Sequence, residues 1–144
     1  MYSKILLAVD GSDNNRTAAH EAVDIAKAMN AELTAVYVLA DAEPAPNAFG
    51  AEASLSTKQA IAEKSSKDAL DFVTVIAKDN GVELKTLILH GNPGKEIVKI
   101  SKDYDLVVCG SLGLTGITKM LMGSVSSTIV KYSDCPVLIS RYKA

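Results

Sequence analysis

Five short apolar runs, each closed by a turn signal and separated by stretches of helical spacing, restrict what this chain can fold into. The first, Lys4 to Val9, ends in Asp10-Gly11-Ser12-Asp13-Asn14. A continuous apolar run of that length suits a strand covered on both faces, as in a parallel sheet. Leu33 to Leu39 is a second strand, rich in β-branched and aromatic residues. Glu83 to Leu89 alternates enough to sit near an edge. Asp105 to Cys109 and Val137 to Ser140 complete the set.

The intervening segments carry the 3.6-residue period. Ala18, Ala22, Ile25, Ala26 and Met29 share one face of a helix over about residues 13–29. A longer helix is expected from about Ser56 to Asn80, stopped by Gly81. Its apolar face runs through Ile61, Ala62, Ala69, Leu70, Phe72, Val73 and Ile76. Asn92 and Pro93 open a third helix as cap and first-turn residue, ending near Lys102. The last helix starts near Ser124 and ends before Pro136. Residues 40–56, with two prolines and no steady period, read as a loop long enough to be functional.

Strand and helix therefore alternate β-α-β-α-β-α-β-α-β, which argues for one open five-stranded parallel sheet with helices on both faces. Two strand orders are realistic for this pattern. The preferred one, 3-2-1-4-5, is Rossmann-like and makes strands one and four neighbours where the winding reverses. Ligands of open α/β sheets bind there, outside the carboxyl ends of the strands. Asp10 and Gly110 then flank one crevice. With 144 residues and no linker or repeat, the chain reads as a single domain over 1–144.

Composition removes several function classes. The formal net charge of −2 offers no basic field to a nucleic acid, and the chain has no Trp with which to stack bases. No apolar run spans a bilayer, and no secretory signal opens the sequence. Cys109 and Cys135 lie in or beside strands and read as small buried hydrophobes of a reducing compartment. The expected location is the cytoplasm.

The chemistry concentrates after strand four, in Gly110-Ser111-Leu112-Gly113-Leu114-Thr115-Gly116 and then Gly123-Ser124-Val125-Ser126-Ser127-Thr128. Glycines after a strand let backbone approach a ligand closely. A helix start offers free N–H groups and the positive end of the helix dipole to an anion. Ser124, Ser126 and Ser127 add hydroxyl donors to a phosphate cradle. Local chemistry leaves a second reading open, in which the glycines only shape a loop and Ser124 only caps the helix.

The spacing is more specific. Gly110, two residues, Gly113, nine residues and Gly123-Ser124 resembles the ATP-binding signature of universal stress proteins, an adenine nucleotide α-hydrolase-like group. The likeness extends to Ala8-Val9-Asp10-Gly11-Ser12, to Gly91-Asn92-Pro93 and to Ser133-Asp134-Cys135-Pro136-Val137-Leu138. It implies ATP as ligand, with Mg2+ as an open companion. Ala8, Val9 and Asp10 would sit by adenine and ribose, and Val38 would meet the adenine through its backbone. Gly110 to Gly116, including Ser111, Leu114 and Thr115, would line ribose and phosphates. Gly123, Ser124, Val125 and Ser126 would hold the phosphate tail. Leu112 stands where many relatives carry His or Arg, so a cationic contact is missing at that position. The resemblance also implies a homodimer through the last strand, with Val137 and Ile139 at the contact, and a stress-response or signalling role exerted on an unknown protein partner.

Other motifs carry less. Gly91-Asn92-Pro93-Gly94-Lys95-Glu96 hints at a P-loop but has Glu96 at the magnesium-binding Ser/Thr position and Leu89 at the first Gly. Asp10-Gly11-Ser12-Asp13 lacks the dinucleotide fingerprint. His20 and His90 have no metal-ligand spacing. Asp10 is the one carboxylate placed in the crevice. Two rival functions stand beside ATP-dependent signalling: a slow ATPase or adenylate-transferring enzyme, which needs a base or metal to activate water, and an interaction module without nucleotide.

Overall fold

The computed structural model describes residues 1–40, 51–111 and 122–141, with side chains in the second helix from residue 57 onward. Its elements are β1 (Lys4–Val9), α1 (Asp13–Met29), β2 (Glu32–Leu39), α2 (Ala51–Asp79), β3 (Leu84–His90), α3 (Pro93–Ser101), β4 (Leu106–Gly110), α4 (Ser124–Tyr132) and β5 (Val137–Ser140). The strands form one sheet in the order β3-β2-β1-β4-β5, and every pair is parallel.

β1 is the central strand, and Ile5, Leu6 and Leu7 are fully buried. Alternation sends Ile5, Leu7 and Val9 to the side covered by α1 and α2, and Leu6 and Ala8 to the side covered by α3 and α4. Burying each of the larger side chains contributes about 1.5–3 kcal/mol. Small residues on α1 (Ala18, Ala19, Ala22 and Ala26, all at most 1% exposed) let that helix lie close against the sheet. On the other face Gly94 of α3 does the same for α4: a Cβ there would stand 2.9 Å from Thr128 Cβ.

Helix ends follow the sequence. The Ser12 hydroxyl accepts the Asn15 N–H (3.3 Å) and the Asn92 side chain accepts the Lys95 N–H (3.0 Å). Asn30 ends α1 in the left-handed conformation, its N–H directed to carbonyls of the last turn.

Three boundaries and faces differ from expectation. α2 begins at Ala51, not near Ser56; Pro44 and Pro46 lie upstream of a stretch whose Ala, Glu and Leu are good helix formers. Ile61 is 61% exposed rather than part of a core face. A helix of 29 residues is about 43 Å long, whereas an eight-residue strand spans roughly 26 Å. The amino-terminal half of α2 therefore overhangs the carboxyl ends of the strands, and among the side chains described the buried ones, Ser66, Leu70, Val73 and Ala77, fall beyond Ile61. Met29, in the last turn of α1, is likewise exposed. The part of the expected 40–56 loop at 41–50 lies outside the described residues.

Candidate functional site

β1 and β4 pair from Ile5↔Leu106 to Leu7↔Val108, and two residues further on the same register brings Val9 alongside Gly110. Sequence leaves β1 for one side of the sheet and returns to β4 from the other. The gap at their carboxyl ends is the reversal point at which open α/β sheets bind ligands.

The turn after β1 is held by a closed set of hydrogen bonds. Asp10 Oδ1 accepts the Ser12 N–H (2.8 Å) and the Ser12 hydroxyl (2.6 Å). Asn15, only 5% exposed, accepts the Asp10 N–H on Oδ1 (3.3 Å) and donates from Nδ2 to the Ala8 carbonyl (2.8 Å). Gly11 supplies the left-handed backbone, φ 79°, that the tight turn needs. Ser12 thus caps α1 while Asp10 braces Ser12, so Asp10 is an organiser of the turn as well as a wall of the crevice.

Across the gap, α4 opens without a capping side chain: its N-cap is Gly123, which makes no side-chain hydrogen bond. α1 and α3 are both capped by side chains. Ser124 is the first helical residue, not the cap. Among the described residues, therefore, no side chain competes with an external anion for the positive dipole and the first-turn N–H groups of α4.

A cavity of about 410 Å3 lies between these two ends. Of the residues singled out in the sequence, Ala8, Val9, Asp10, Val38, Gly110, Gly123, Ser124, Val125 and Ser126 line it. Ser111 does not. Its N–H donates to the Ser140 carbonyl (3.0 Å), and its own carbonyl accepts the Gly123 N–H (2.9 Å). It stitches the start of α4 to the end of the sheet. Leu112, Gly113, Leu114, Thr115 and Gly116 lie outside the described residues. Ser126 was expected as a hydroxyl donor to phosphate, but its hydroxyl is directed at the Ser111 and Gly123 carbonyls (3.2 and 3.1 Å). Ser126 is 4% exposed, and its hydroxyl serves those carbonyls.

The rest of the wall comes from elements that sequence spacing did not connect to the glycines. Pro93 and Ile97 of α3, Leu39 and Ala40 after Val38, and Ala62 from the overhanging half of α2 supply an apolar side. Cys109 and Tyr37 complete it near Asp10. Burial pushes the Cys109 thiol up to about 12, and the Asp10 charge adds to the shift. Burial also raises the Tyr37 phenol, again with a contribution from Asp10. The Asp10 carboxylate therefore projects negative potential into the crevice. Among the described residues no lysine or arginine lines this cavity, and no group of three His, Cys, Asp or Glu is placed to hold a metal ion. His20 packs edge-on against Phe72 (5.6 Å), and His90 ends β3 exposed to solvent.

The arrangement is an open α/β sheet whose reversal point, the place at which such sheets take ligands, joins a braced acidic turn to an uncapped helix start. Comparison with known proteins agrees. The family model described as "Universal stress protein family" matches residues 1–141, and the chain belongs to that family. It is 38% identical over 141 residues to Universal stress protein MJ0531 of Methanocaldococcus jannaschii, covering 96% of this chain and 82% of that one. Among solved structures, universal stress protein UspA from Lactobacillus plantarum superimposes with a TM-score of 0.76 at 32% identity, over 97% of this chain and 98% of that one. A universal stress protein in complex with cAMP superimposes with a TM-score of 0.71 at 25% identity, over 96% of both chains. Among the described residues no helix is long and apolar enough to cross a membrane.

Proposed function

We propose that this chain binds an adenine nucleotide, with ATP as its ligand, in the cavity between β1 and α4. The observation that carries the reading is the uncapped amino end of α4 facing Asp10 across a cavity of about 410 Å3. Phosphates belong at the start of α4 beside Gly123, where the N–H groups of Ser124 and Val125 and the helix dipole favour negative charge. The carboxylate of Asp10 belongs with ribose hydroxyls, which can donate to it, and not with phosphates, which it repels. Pro93, Ile97 and Val38 offer the apolar slot that a purine ring requires. The cAMP complex of a relative supports the same ligand class. Gly110, followed by the segment from Leu112 to Gly116, belongs to the ribose and phosphate side of the site on the strength of the glycine spacing.

Binding rather than hydrolysis is favoured by Asp10. It is the one carboxylate of the described lining, and its Oδ1 already accepts two hydrogen bonds from Ser12. Among the described residues neither a free general base nor a carboxylate set for Mg2+ lines the cavity beside the helix start, so magnesium would travel with the phosphates. The nucleotide state would act on a protein partner, with the chain working as a homodimer through β5. That strand is an edge of the sheet. Val137 and Ile139 pack in part on the α3/α4 side of their own protomer, leaving the backbone edge as the main pairing surface.

Titration calorimetry of ATP, ADP and AMP, with and without magnesium, tests the site on the parent protein and on Gly123→Val. Binding that is lost in a folded Gly123→Val protein, together with a preference for ATP over AMP, is the expected result. No heat from nucleotide-free, refolded parent protein would overturn the reading in favour of an interaction module without ligand.

A further inference from the structure

β3 is the longer of the two edge strands, seven residues against four in β5. Its register with β2 runs unbroken from Leu33↔Leu84 to Leu39↔His90. At the two ends the Glu83 carbonyl accepts the Leu33 N–H (3.1 Å), and the Gly91 N–H donates to the Leu39 carbonyl (2.9 Å). Backbone groups of successive strand residues point to opposite sides of the strand. Odd-numbered residues of β3 therefore bond to β2, and the N–H and C=O groups of Leu84, Thr86, Ile88 and His90 face outward.

Side chains beside that edge are exposed on both faces of the sheet. Leu87 lies next to Val36, on the α3/α4 face, and is 37% exposed. Ile88 lies next to Tyr37, on the α1/α2 face, and is 49% exposed. Lys85 and Thr86 are exposed with them. Edge strands are ordinarily blunted by proline, a bulge, short length or free charge. β3 has no proline and no bulge, and its lysine, Lys85, pairs with Glu32 of β2 at 3.9 Å. A helix docked on one face would cover Leu87 or Ile88 but not both, and would leave the outward backbone groups to water. A strand added in the plane of the sheet covers both side chains and bonds to the backbone.

We propose that the added strand is β3 of a second copy, paired antiparallel across a two-fold axis at Leu87. That axis sets Thr86 opposite Ile88, Leu84 opposite His90 and Lys85 opposite Leu89 of the second copy. Every outward N–H and C=O from Leu84 to His90 then meets a partner, and Leu87 meets its own copy on the axis. The two Lys85 side chains stand four positions apart, about 13 Å, farther than the roughly 8 Å screening length of physiological salt. An axis at Thr86 would bring them to diagonal positions about 7–8 Å apart. An axis at Ile88 would set Leu84 opposite Asn92, beyond the end of the strand. Leu87 is thus the centre that pairs the whole strand without bringing like charges together. The contact rests neither on the nucleotide reading nor on pairing through β5. Were both edges to pair, copies would line up in an open row.

Disulfide trapping reads the register. On the outer side of β3 the axis residue Leu87 is a non-hydrogen-bonded position, where paired Cα atoms are about 4.5 Å apart, within the span of a disulfide. In a Cys135→Ser background, with Cys109 buried, Leu87→Cys should oxidise to a covalent dimer about tenfold or more faster than Ile88→Cys, whose two copies lie on a diagonal too long for the bond. Sedimentation velocity of the nucleotide-free full chain is the second readout, and the parent should form larger species as its concentration rises. Leu87→Lys sets two charges against each other on the axis. Thr86→Pro removes an outward N–H and none that bonds to β2, a change an edge strand tolerates. Each should weaken that association about tenfold or more while circular dichroism shows the fold kept. Equal trapping at the two cysteine positions, no trapping of Leu87→Cys, or a parent of constant mass at every concentration would overturn the proposal. So would association in both edge variants equal to the parent's, which would move self-association to another surface such as β5.

Discussion

Gly94→Ala probes the contact that sets α3 against α4 and, through them, one wall of the candidate site. The added Cβ would lie 2.9 Å from Thr128 Cβ, 3.0 Å from Thr128 Cγ2 and 3.4 Å from Thr128 Oγ1. Carbon atoms pack comfortably at about 3.5–4.0 Å, so the helices must part by roughly half an ångström or more. Thr128 cannot rotate away freely. It is β-branched and stiff at χ1, and its hydroxyl donates to the Ser124 carbonyl at 2.9 Å. Overpacking of this kind costs about 1–3 kcal/mol, while alanine in place of glycine in a helix returns up to about 1 kcal/mol. The net expectation is a loss of about 1–2 kcal/mol, read from urea unfolding as a lower midpoint at unchanged slope. In a Thr128→Gly background the same Gly94→Ala change should cost nothing. Because Pro93 and Ile97 on α3 and Ser124 on α4 all line the larger cavity, nucleotide affinity should fall with Gly94→Ala and recover in the double variant. A Gly94→Ala protein as stable as the parent, or one that loses the same stability in both backgrounds, would refute the argument from close approach.

Three further outcomes follow from the geometry. Asn15→Ala strands the buried Ala8 carbonyl and the Asp10 N–H; it should cost about 2–3 kcal/mol in urea unfolding and weaken nucleotide binding in calorimetry. Cys109, with its thiol held near 12 in the fold against 9.0 for a free thiol, favours the folded state below pH 9, and that contribution is lost as the pH rises from 9 toward 12. Stability should therefore decline in that window by up to about 1.4 kcal/mol per pH unit, less steeply in Cys109→Ala, and at pH 8 a thiol reagent should titrate Cys135 well before Cys109. Asp105 accepts the N–H groups of Ser3 and Lys4 at 2.8 and 2.9 Å, which lowers its carboxyl below the ordinary range. Its contribution is present above that range and lost as pH falls through the lowered value, so Asp105→Asn should be less stable at pH 7 and less sensitive to acid in a pH series of thermal melts.

Much of the fold was legible because it is written in local terms. An apolar run such as Lys4–Val9 has nowhere to go but the middle of a parallel sheet, and Ser12, Asn92 and Gly81 mark helix ends by chemistry that acts within four residues. The extent of α2 was less legible. Helix propensity carries the chain from Ala51 onward, but only the length of the strands beneath decides that Ile61 overhangs and stays exposed. Among candidate site residues, the β1 end and the α4 start were found because turn chemistry and glycine spacing are sequence properties. Asn15 gave a usable signal, an amide in the first turn of α1, but its tie to Ala8 and Asp10 depends on how α1 leaves the sheet.

Sequence by itself determined the alternation of strand and helix, the turn after Val9, the glycine segment after β4 and the family to which these belong. Tertiary structure alone decided what lies between them. Pro93 and Ile97 of α3, Tyr37 of β2 and Ala62 of α2 come to one cavity from three elements that no period or spacing links. The same structure directed the Ser126 hydroxyl at the Ser111 and Gly123 carbonyls. The physical reason is range: periodicity, capping and backbone conformation act over a few residues, whereas a cavity is the space left when distant elements have packed.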